Sequence, residues 1–281
     1  MILFKKAGEL KQYLSGHVLT GQKKGFVPTM GALHEGHISL IERCRQESDL
    51  VICSIFVNPA QFNDPADFEK YPITIENDIL LLEKAGTDIL FLPSVNEIYP
   101  NGNPTEHYTL GDIETLLEGR FRPGHFQGVC QVMYRLLKIV EPQLLFMGQK
   151  DYQQCMVIQQ LLRLMGSTTQ LVISPTQRES SGLAMSSRNM RLSEKGKETA
   201  AAIYQALQWI KAHLQQGTTN DLIQHAGSLL TTAGFDKIDY ISIAHAETLV
   251  PVDSWDGHTP LVALAAAFLE DVRLIDNLSL N

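Results

Sequence analysis

The sequence has few cysteines, no long apolar run and no excess of positive charge. Its cysteines form no C-x-x-C pair and have no histidine at zinc-ligand spacing, so we expect buried, reduced thiols at Cys44, Cys53, Cys130 and Cys155. The longest apolar stretches, such as residues 261–269, fall short of the roughly 20 residues that a membrane span needs. With 23 Lys and Arg against 31 Asp and Glu, the net charge is -8. Neither a membrane nor a nucleic acid is therefore predicted as a partner.

No secretory signal peptide is expected at the start of the chain. Met1-Ile2-Leu3-Phe4-Lys5-Lys6 is followed at once by polar residues, without the apolar region of a secretory signal peptide. A cytoplasmic location is expected. The length of 281 residues, with 44% hydrophobic and 19% charged residues, indicates a folded protein of two domains or one large domain.

The first part of the chain alternates between two patterns. Short apolar runs, rich in β-branched residues, predict strands at residues 25–29, 50–57, 89–92, 144–147 and 170–174. The amphipathic segments between them predict helices that begin near residue 34 and cover residues 74–85, 128–140 and 151–165. Buried strands joined by crossover helices predict a parallel sheet in a Rossmann-like α/β domain.

The alternation stops after Ser174-Pro175. Two predicted helices, at residues 193–216 and 220–233, are followed by predicted strands at 238–243, 261–268 and 272–275. This order favours a smaller α+β domain, so we expect domains at residues 1–176 and 177–281. Ligands of open α/β sheets bind beyond the carboxyl ends of the strands. We therefore expect the functional site in a cleft between the two domains.

The densest group of chemically capable residues lies where the first predicted strand turns into the first predicted helix, Pro28-Thr29-Met30-Gly31-Ala32-Leu33-His34-Glu35-Gly36-His37. The glycines allow close approach of a ligand to the backbone, and a helix N-terminus suits phosphate. Two imidazoles on one turn could both reach a polyphosphate. A purely structural turn, with a histidine as cap, is the alternative. A metal pair is disfavoured because no third ligand is apparent.

Two further segments could bind phosphate. Met147-Gly148-Gln149-Lys150-Asp151-Tyr152-Gln153-Gln154 carries a lysine at the end of a predicted strand; its alternative is a solvated lysine beside a helix cap. Residues 178–189 combine Ser, Gly and Arg at the predicted domain junction, where an ordinary linker is the alternative. The joint occurrence of three such segments at one predicted site favours a phosphate-binding function over a chance match.

These residues carry a family resemblance over nearly the whole chain. His34-Glu35-Gly36-His37 is an H-x-G-H signature. It lies in the first of six family-type blocks that occur in register, at residues 28–37, 56–62, 71–72, 122–126, 148–151 and 182–189. The sequence resembles the pantothenate synthetases, of the nucleotidylyltransferase superfamily. It departs from their pattern at Met147, Ile73, Asn77, Gln177 and Ser181.

The resemblance implies an ATP-dependent, AMP-forming condensation of (R)-pantoate with β-alanine, with Mg²⁺ and a pantoyl-adenylate intermediate, in a homodimer. The catalytic residues that it implies are His34, His37, Lys150 and Arg188. ATP would contact Met30, Gly31, Ala32, Leu33, His34, Glu35, Gly36, His37, Gly148, Gln149, Lys150, Asp151, Gln177, Met185, Ser186, Ser187 and Arg188. Pantoate and β-alanine would contact Gln61, Gln153, Pro28 and Met30. Asp78 would bind Mg²⁺ through water, and Arg122 and His125 would order a neighbouring loop.

Three other functions share some of these features. Another H-x-G-H nucleotidylyltransferase would need the same phosphate segments but would keep AMP on its product. A class I aminoacyl-tRNA synthetase is disfavoured by the acidic balance and by the missing anticodon-binding region. A non-catalytic ATP sensor could use the same sheet without turning ATP over.

Overall fold

The computed structural model describes residues 1–17, 21–62, 68–102 and 104–281. The chain divides into two compact units, and each unit is discontinuous in sequence. The first unit comprises Met1–Leu110, Arg122–Gly148 and Val157–Ser174. The second comprises Gly111–Phe121, Gln149–Met156 and Pro175–Asn281.

The strands are β1 (Ile2–Phe4), β2 (Lys24–Thr29), β3 (Leu50–Ile55), β4 (Ile89–Phe91), β5 (Leu144–Gly148), β6 (Gln170–Ser174), β7 (Gly217–Thr218), β8 (Lys237–His245), β9 (Ser254–Trp255), β10 (Leu261–Leu269) and β11 (Val272–Ser279). The α-helices are α1 (Ala7–His17), α2 (Glu35–Glu47), α3 (Ile75–Ala85), α4 (Val95–Ile98), α5 (Leu117–Phe121), α6 (His125–Val140), α7 (Tyr152–Leu164), α8 (Glu194–Ala200), α9 (Ala202–His213) and α10 (Asn220–Ala233). Short 3₁₀ helices cover Pro59–Gln61, Gly111–Glu114, Gln149–Asp151 and Ser187–Arg191.

A six-stranded parallel sheet, in the order β1-β4-β3-β2-β5-β6, forms the centre of the first unit. Its core includes Val27, Val51 and Phe146 on the strands, because nearly continuous apolar runs are buried on both faces of such a sheet. From β2 the chain continues to β3 and then β4 on one side of the sheet, whereas β5 and then β6 lie on the other side of β2. The topological switch point therefore lies between β2 and β5, and the carboxyl end of β2 leads directly into residues 30–37.

The second unit is built on an antiparallel sheet in the order β11-β10-β8. β10 lies in the centre and is apolar along its length, with nearly every residue buried. Helix α9 packs against β10 and β11, and α10 packs against β8. Residues such as Leu207, Leu230 and Ile243 fill the core between the helices and the sheet.

The predicted fold class, a Rossmann-like domain with a parallel sheet and a smaller α+β domain, is confirmed. The sequence did not predict β1 and α1. The single helix predicted over residues 193–216 is wrong, because the chain forms α8 and α9 with a break at Ala201. Over the part of the chain that the structure describes, no helix combines the length and the apolar character that a membrane crossing requires.

Candidate active site

The turn between β2 and α2 is fixed by one buried carboxylate. Asp78 on α3 is 0% exposed. Its Oδ2 accepts the backbone N–H of Ala32 at 3.0 Å, and its Oδ1 accepts that of Leu33 at 2.9 Å and the Thr74 hydroxyl at 3.0 Å. Ala32 has a φ of 49°, in the left-handed region that a non-glycine residue rarely adopts. The carboxylate therefore holds a strained backbone conformation immediately before the H-x-G-H signature.

Asp78 is poorly suited to the predicted magnesium role. Its two oxygens already accept three hydrogen bonds, and the side chain has no exposed surface on which water could bridge to a metal ion. Within residues 1–17, 21–62, 68–102 and 104–281, no three His, Cys, Asp or Glu side chains are grouped so that they could hold a metal ion. The described residues therefore offer no ready cage of protein ligands, and the hydrogen bonds of Asp78 make it a support of the turn.

His34 and His37 form the N-terminus of α2. His34 is the N-cap; its Nδ1 accepts the backbone N–H of Gly36 at 3.1 Å, while Nδ1 of His37 accepts the backbone N–H of His34 at 3.3 Å. The ring centroids are 4.2 Å apart. Because each Nδ1 is an acceptor, a neutral ring carries its proton on Nε2 and can donate it to an anion. The two donors lie at the positive end of the helix dipole.

Gln61 and Met30 are brought together within the first unit. The Gln61 amide nitrogen donates to Met30 Sδ at 3.0 Å, and Gln61 Oε1 accepts from Nδ2 of Asn58 at 3.1 Å. Pro28 lies on β2, opposite Ser54 of β3. The side-chain amide of Gln61 is therefore oriented by neighbours on both of its polar atoms.

Asn58 was not predicted as a site residue, but its side chain donates the hydrogen bond that orients the Gln61 amide. It is 1% exposed, donates to the backbone oxygen of Gly128 at 3.0 Å, and accepts the Tyr99 hydroxyl at 2.7 Å. A Cβ at Gly128 would lie 2.1 Å from the carbonyl oxygen of Ala60, so only glycine allows α6 to approach this closely. The Asn-Pro-Ala-Gln sequence could have predicted a turn at Asn58, since asparagine before a proline is typical of turns.

His125 at the start of α6 contacts the backbone of the same segment. Its Nδ1 lies 2.8 Å from the carbonyl oxygen of Gln61 and its Nε2 lies 3.1 Å from Nη1 of Arg122. Arginine can only donate, so Nε2 accepts and Nδ1 donates to the Gln61 carbonyl. His125 is thereby tied both to Arg122 and to the backbone of the Pro59–Gln61 segment.

In the second unit, the segment with Lys150 forms the 3₁₀ helix Gln149–Asp151, which begins directly after Gly148, the last residue of β5. Its backbone is held from β11: Nδ2 of Asn277 donates to the carbonyl oxygens of Gln149 and Lys150, both at 2.9 Å. Lys150 is half-buried and Asp151 is exposed. The Lys150 ammonium thus extends from a backbone segment that is anchored on both sides of its Cα.

Gln153, predicted to bind pantoate, has other partners in the structure. It is 2% exposed; its Oε1 accepts the backbone N–H of Glu118 at 3.0 Å, and its Nε2 donates to the carbonyl oxygens of Ile113 and Leu116 at 2.8 and 2.9 Å. All three contacts fix the segment around α5. The next residue, Gln154, is half-buried and makes no side-chain hydrogen bond to another described residue. Backbone groups therefore occupy the Gln153 amide, whose role in binding pantoate stays a prediction.

The remaining predicted residues lie on a short hairpin and the turn that follows it. Met185 N donates to the Gln177 carbonyl at 2.9 Å, and Arg178 pairs with Ala184 in an antiparallel bridge. Ser186 then caps the 3₁₀ helix Ser187–Arg191 by accepting the N–H of Arg188 at 3.3 Å. The structure therefore brings Gln177 to Met185, and places Ser186, Ser187 and Arg188 on one turn.

Arg178 has a structural role that the sequence did not reveal. Its guanidinium makes a bidentate pair with Asp276 at 2.6 and 2.9 Å and lies 3.6 Å from the ring centroid of Tyr204. It also donates to the carbonyl of Gly182 at 3.1 Å. The two arginines therefore lie in different surroundings. Arg178 is paired with Asp276 and anchors the hairpin, whereas Arg188 lies on the turn that Ser186 caps.

Comparisons with known proteins identify one family over nearly the whole chain. A family model described as pantoate-beta-alanine ligase matches residues 2–279. A pantothenate synthetase from Cytophaga hutchinsonii is 45% identical over 281 residues, which is 99% of each chain.

Solved structures agree as well. The crystal structure of pantothenate synthetase from Thermus thermophilus aligns with a TM-score of 0.92 and 40% identity, over 100% of this chain and 99% of that one. The pantoate-beta-alanine ligase from Francisella tularensis, complexed with beta-gamma ATP and beta-alanine, aligns with a TM-score of 0.83 and 38% identity, over 99% and 97% of the two chains.

Proposed function

The chain belongs to the pantoate–β-alanine ligase family, and from this premise we propose how its residues carry out the ligation. The enzyme joins (R)-pantoate to β-alanine with ATP as the third substrate. In the first step a pantoate carboxylate oxygen attacks the α-phosphorus of ATP, the bond to the bridging oxygen breaks, and pyrophosphate leaves. In the second step the β-alanine amine attacks the acyl carbon of pantoyl adenylate, and AMP leaves. The activated carbonyl is needed because a free carboxylate is a poor acylating agent.

The observation that carries this proposal is the pair of imidazoles at the start of α2, which follow a turn held by Asp78 and are themselves oriented by backbone N–H groups. The Nε2–H groups of His34 and His37 would donate to the triphosphate, and His37 would stabilise the departing pyrophosphate oxygen. A preorganised donor aimed at developing charge is the usual source of such catalysis. Met30, Gly31, Ala32, Leu33, Glu35 and Gly36 would contact the nucleotide through the same turn.

The second unit supplies further proposed ATP contacts. Lys150 and Arg188 would pair with the β- and γ-phosphates, together with the hydroxyls of Ser186 and Ser187, because cations and hydroxyl donors suit phosphate oxygens. Asp151 would accept from the ribose hydroxyls. Gly148, Gln149, Gln177 and Met185 would line the nucleotide.

Pantoate would bind through neutral amides. The Gln61 amide is oriented by Asn58 and contacts Met30, so it can hold the carboxylate or a hydroxyl of pantoate without a strong ion pair that would weaken the nucleophile. Gln154 replaces Gln153 as the second pantoate residue in this proposal, because the Gln153 amide is occupied by backbone groups. Pro28 would pack against the same substrate.

Magnesium enters this proposal with the substrate. Mg²⁺ binds ATP through phosphate oxygens and usually keeps several waters, so it does not require a cage of protein ligands. The metal would be held by ATP, and the protein residues would act on the phosphates around it. A homodimer and a cytoplasmic location are further proposals, which sedimentation of the purified protein and cell fractionation test.

The function is tested by measuring AMP, pyrophosphate and pantothenate with ATP, Mg²⁺, pantoate and β-alanine, and then omitting each reactant in turn. We expect pyrophosphate exchange into ATP without β-alanine, but only when pantoate is present. A product that retains AMP would identify a different nucleotidylyltransferase. ATP binding without any pantoate-dependent exchange would identify a sensor.

The pantoate contacts are tested by three matched substitutions. Gln61→Ala and Gln154→Ala should each raise the KM for pantoate about tenfold or more through the loss of polar contacts to the substrate. Gln153→Ala should instead lower the free energy of unfolding by about 2 kcal/mol, because it leaves buried backbone groups without partners. A normal pantoate KM in Gln154→Ala would refute its role.

A further inference from the structure

Asn277 of β11 is tied to the Lys150 segment through three hydrogen bonds. Its Nδ2 donates to the carbonyl oxygens of Gln149 and Lys150, both at 2.9 Å, and its Oδ1 accepts from the Gln149 amide at 3.3 Å. The side chain is among the most buried polar groups of the protein, with 2% exposure. No ordinary side chain other than an amide offers two donors and an acceptor at this position.

Asp276, the residue before Asn277, is tied to the other proposed phosphate segment. It is 4% exposed and forms the bidentate pair with Arg178, whose guanidinium also donates to the Gly182 carbonyl. Arg178 lies on the hairpin that leads into Ser186, and Asn189 of the following turn is bonded to the same hairpin at Glu179 and Ala184. Asp276 also accepts the backbone N–H of Asn277 at 2.8 Å.

Two separate segments are therefore held by two consecutive residues of one strand. β11 is a firm support because it pairs with β10 over eight residue pairs. The segment with Lys150 is attached to Asn277 through its main chain, so a shift of the amide would move the Lys150 Cα. The segment with Ser186 to Arg188 is attached to Asp276 through the Arg178 pair.

We propose that Asp276 and Asn277 are positioning residues that set the distance between the Lys150 segment and the Ser186–Arg188 segment for the adenylation step. Neither residue is a proposed ligand of ATP; both act through the groups they hold. The inference rests on the proposed function of Lys150 and Arg188 as phosphate contacts. A displacement of about 1 Å in a catalytic group can cost about a hundredfold in rate, which is why a fixed common support would matter.

The test is Asn277→Asp, which preserves the size of the side chain but replaces the NH₂ donor by an oxygen facing two carbonyl oxygens. We expect kcat/KM for ATP in pantoate-dependent pyrophosphate exchange to fall about tenfold to a hundredfold. The second step, measured with supplied pantoyl adenylate and β-alanine, should stay within about twofold of the parent enzyme, because it needs no contact with the β- and γ-phosphates. A merely structural role would lower both steps together.

A matched control is Asn281→Asp. Asn281 makes comparable hydrogen bonds, with Leu261 N and with the Thr259 carbonyl, but it is exposed and these bonds reach neither segment. Both steps should remain at the parent level in this control. If Asn277→Asp unfolds at the assay temperature, Asn277→Ser takes its place, since the hydroxyl keeps one donor and adds no charge.

Pyrophosphate exchange in Lys150→Ala distinguishes failure of the positioning role from failure of the proposed function. Loss of exchange in Lys150→Ala with parent-level exchange in Asn277→Asp or its serine replacement would overturn the positioning role and leave the function intact. Full exchange in Lys150→Ala would overturn the role of Lys150 itself. In the double variant, the Asn277 change should add less than about twofold to the defect of Lys150→Ala, because its effect passes through that lysine.

Discussion

Oδ2 of Asp78 lies 3.0 Å from the backbone nitrogen of Ala32, a residue whose φ is 49°. A carboxylate on α3 thus fixes an unfavourable backbone conformation on the loop that precedes α2. The same side chain accepts Leu33 N at 2.9 Å. Since backbone strain is kept only where surrounding contacts compensate it, we infer that these hydrogen bonds to Asp78 compensate the strain at Ala32.

Asp78→Asn should weaken both the fold and the adenylation step. The amide can still accept one backbone N–H, but its NH₂ group faces the other donor. We expect the free energy of unfolding to fall by about 2 kcal/mol and pantoate-dependent pyrophosphate exchange to fall about tenfold or more. Urea unfolding and exchange kinetics measure the two effects.

The control for this prediction is Glu76→Gln, an exposed carboxylate on the same helical turn, which should change neither quantity. The magnesium concentration at half-maximal rate decides between positioning and metal binding. It should be unchanged in Asp78→Asn. A severalfold rise in that concentration, with normal stability, would contradict the positioning role.

Tyr99→Phe should act on pantoate through Asn58 and Gln61. Burial raises the pKa of Tyr99, so its hydroxyl stays protonated and donates to Asn58 Oδ1. Loss of this bond loosens the amide that orients Gln61, and we expect the KM for pantoate to rise about threefold to tenfold with the KM for ATP unchanged. The control is Tyr134→Phe, whose hydroxyl has no hydrogen-bond partner among the described residues. Equal changes in both KM values would argue against this connection.

Asp239 should contribute stability that depends on pH. Burial opposes its ionisation, but contacts with Lys237 and Arg273, both at 2.8 Å, outweigh burial and lower the pKa of Asp239. A lowered folded-state pKa means that the ionised carboxylate stabilises the fold above its unfolded-state pKa of about 3.9. This contribution is lost as the pH falls through the lower folded-state value.

We therefore expect Asp239→Asn to lower the free energy of unfolding by about 2 kcal/mol at neutral pH. The difference from the parent protein should be constant from about pH 7 to pH 5 and shrink below about pH 4. Urea unfolding over this range measures it, with the exposed Asp253→Asn as control. A difference that grows toward low pH would have the wrong sign for this explanation.

All four cysteines should resist modification in the folded protein. Each is buried. Burial raises the pKa of Cys44 to about 11 and raises the pKa of Cys53 and Cys155 as well, so little thiolate forms. Ellman's reagent at about pH 8 should detect no rapidly reacting thiol until guanidinium is added, and four thiols afterwards. A fast-reacting thiol in the native protein would show that one of these sites opens readily.

The fold class could be predicted because apolar strands alternate with helical stripes over residues 24–174. β1 could not, since its three residues are partly exposed and are held by parallel pairing with β4, a tertiary contact. The sequence also gives no sign of the helix break at Ala201. Three consecutive alanines are excellent helix formers, so local propensity gives no reason for a helix to end there.

The position of the candidate residues His34 and His37, on the turn between a strand and a helix, could be predicted because both the strand and the helix have clear sequence patterns. Side chains that act on the backbone of distant segments could not be. Asp78 resembles any acidic residue in the first turn of a helix, and its contact with Ala32 spans 46 residues. The choice between Gln153 and Gln154 depends on which face of α7 is buried, and two adjacent glutamines carry no signal for that.

The most direct test of the central claim follows one oxygen atom. Pantoate labelled with ¹⁸O at both carboxylate oxygens is incubated with the enzyme, ATP, Mg²⁺ and β-alanine. The products are separated, and their ¹⁸O content is measured by mass spectrometry. If pantoyl adenylate forms and the amine then attacks its acyl carbon, one ¹⁸O atom must leave with the phosphate of AMP and none with pyrophosphate. Label in pyrophosphate, or AMP that carries no label while pantothenate accumulates, would contradict the account.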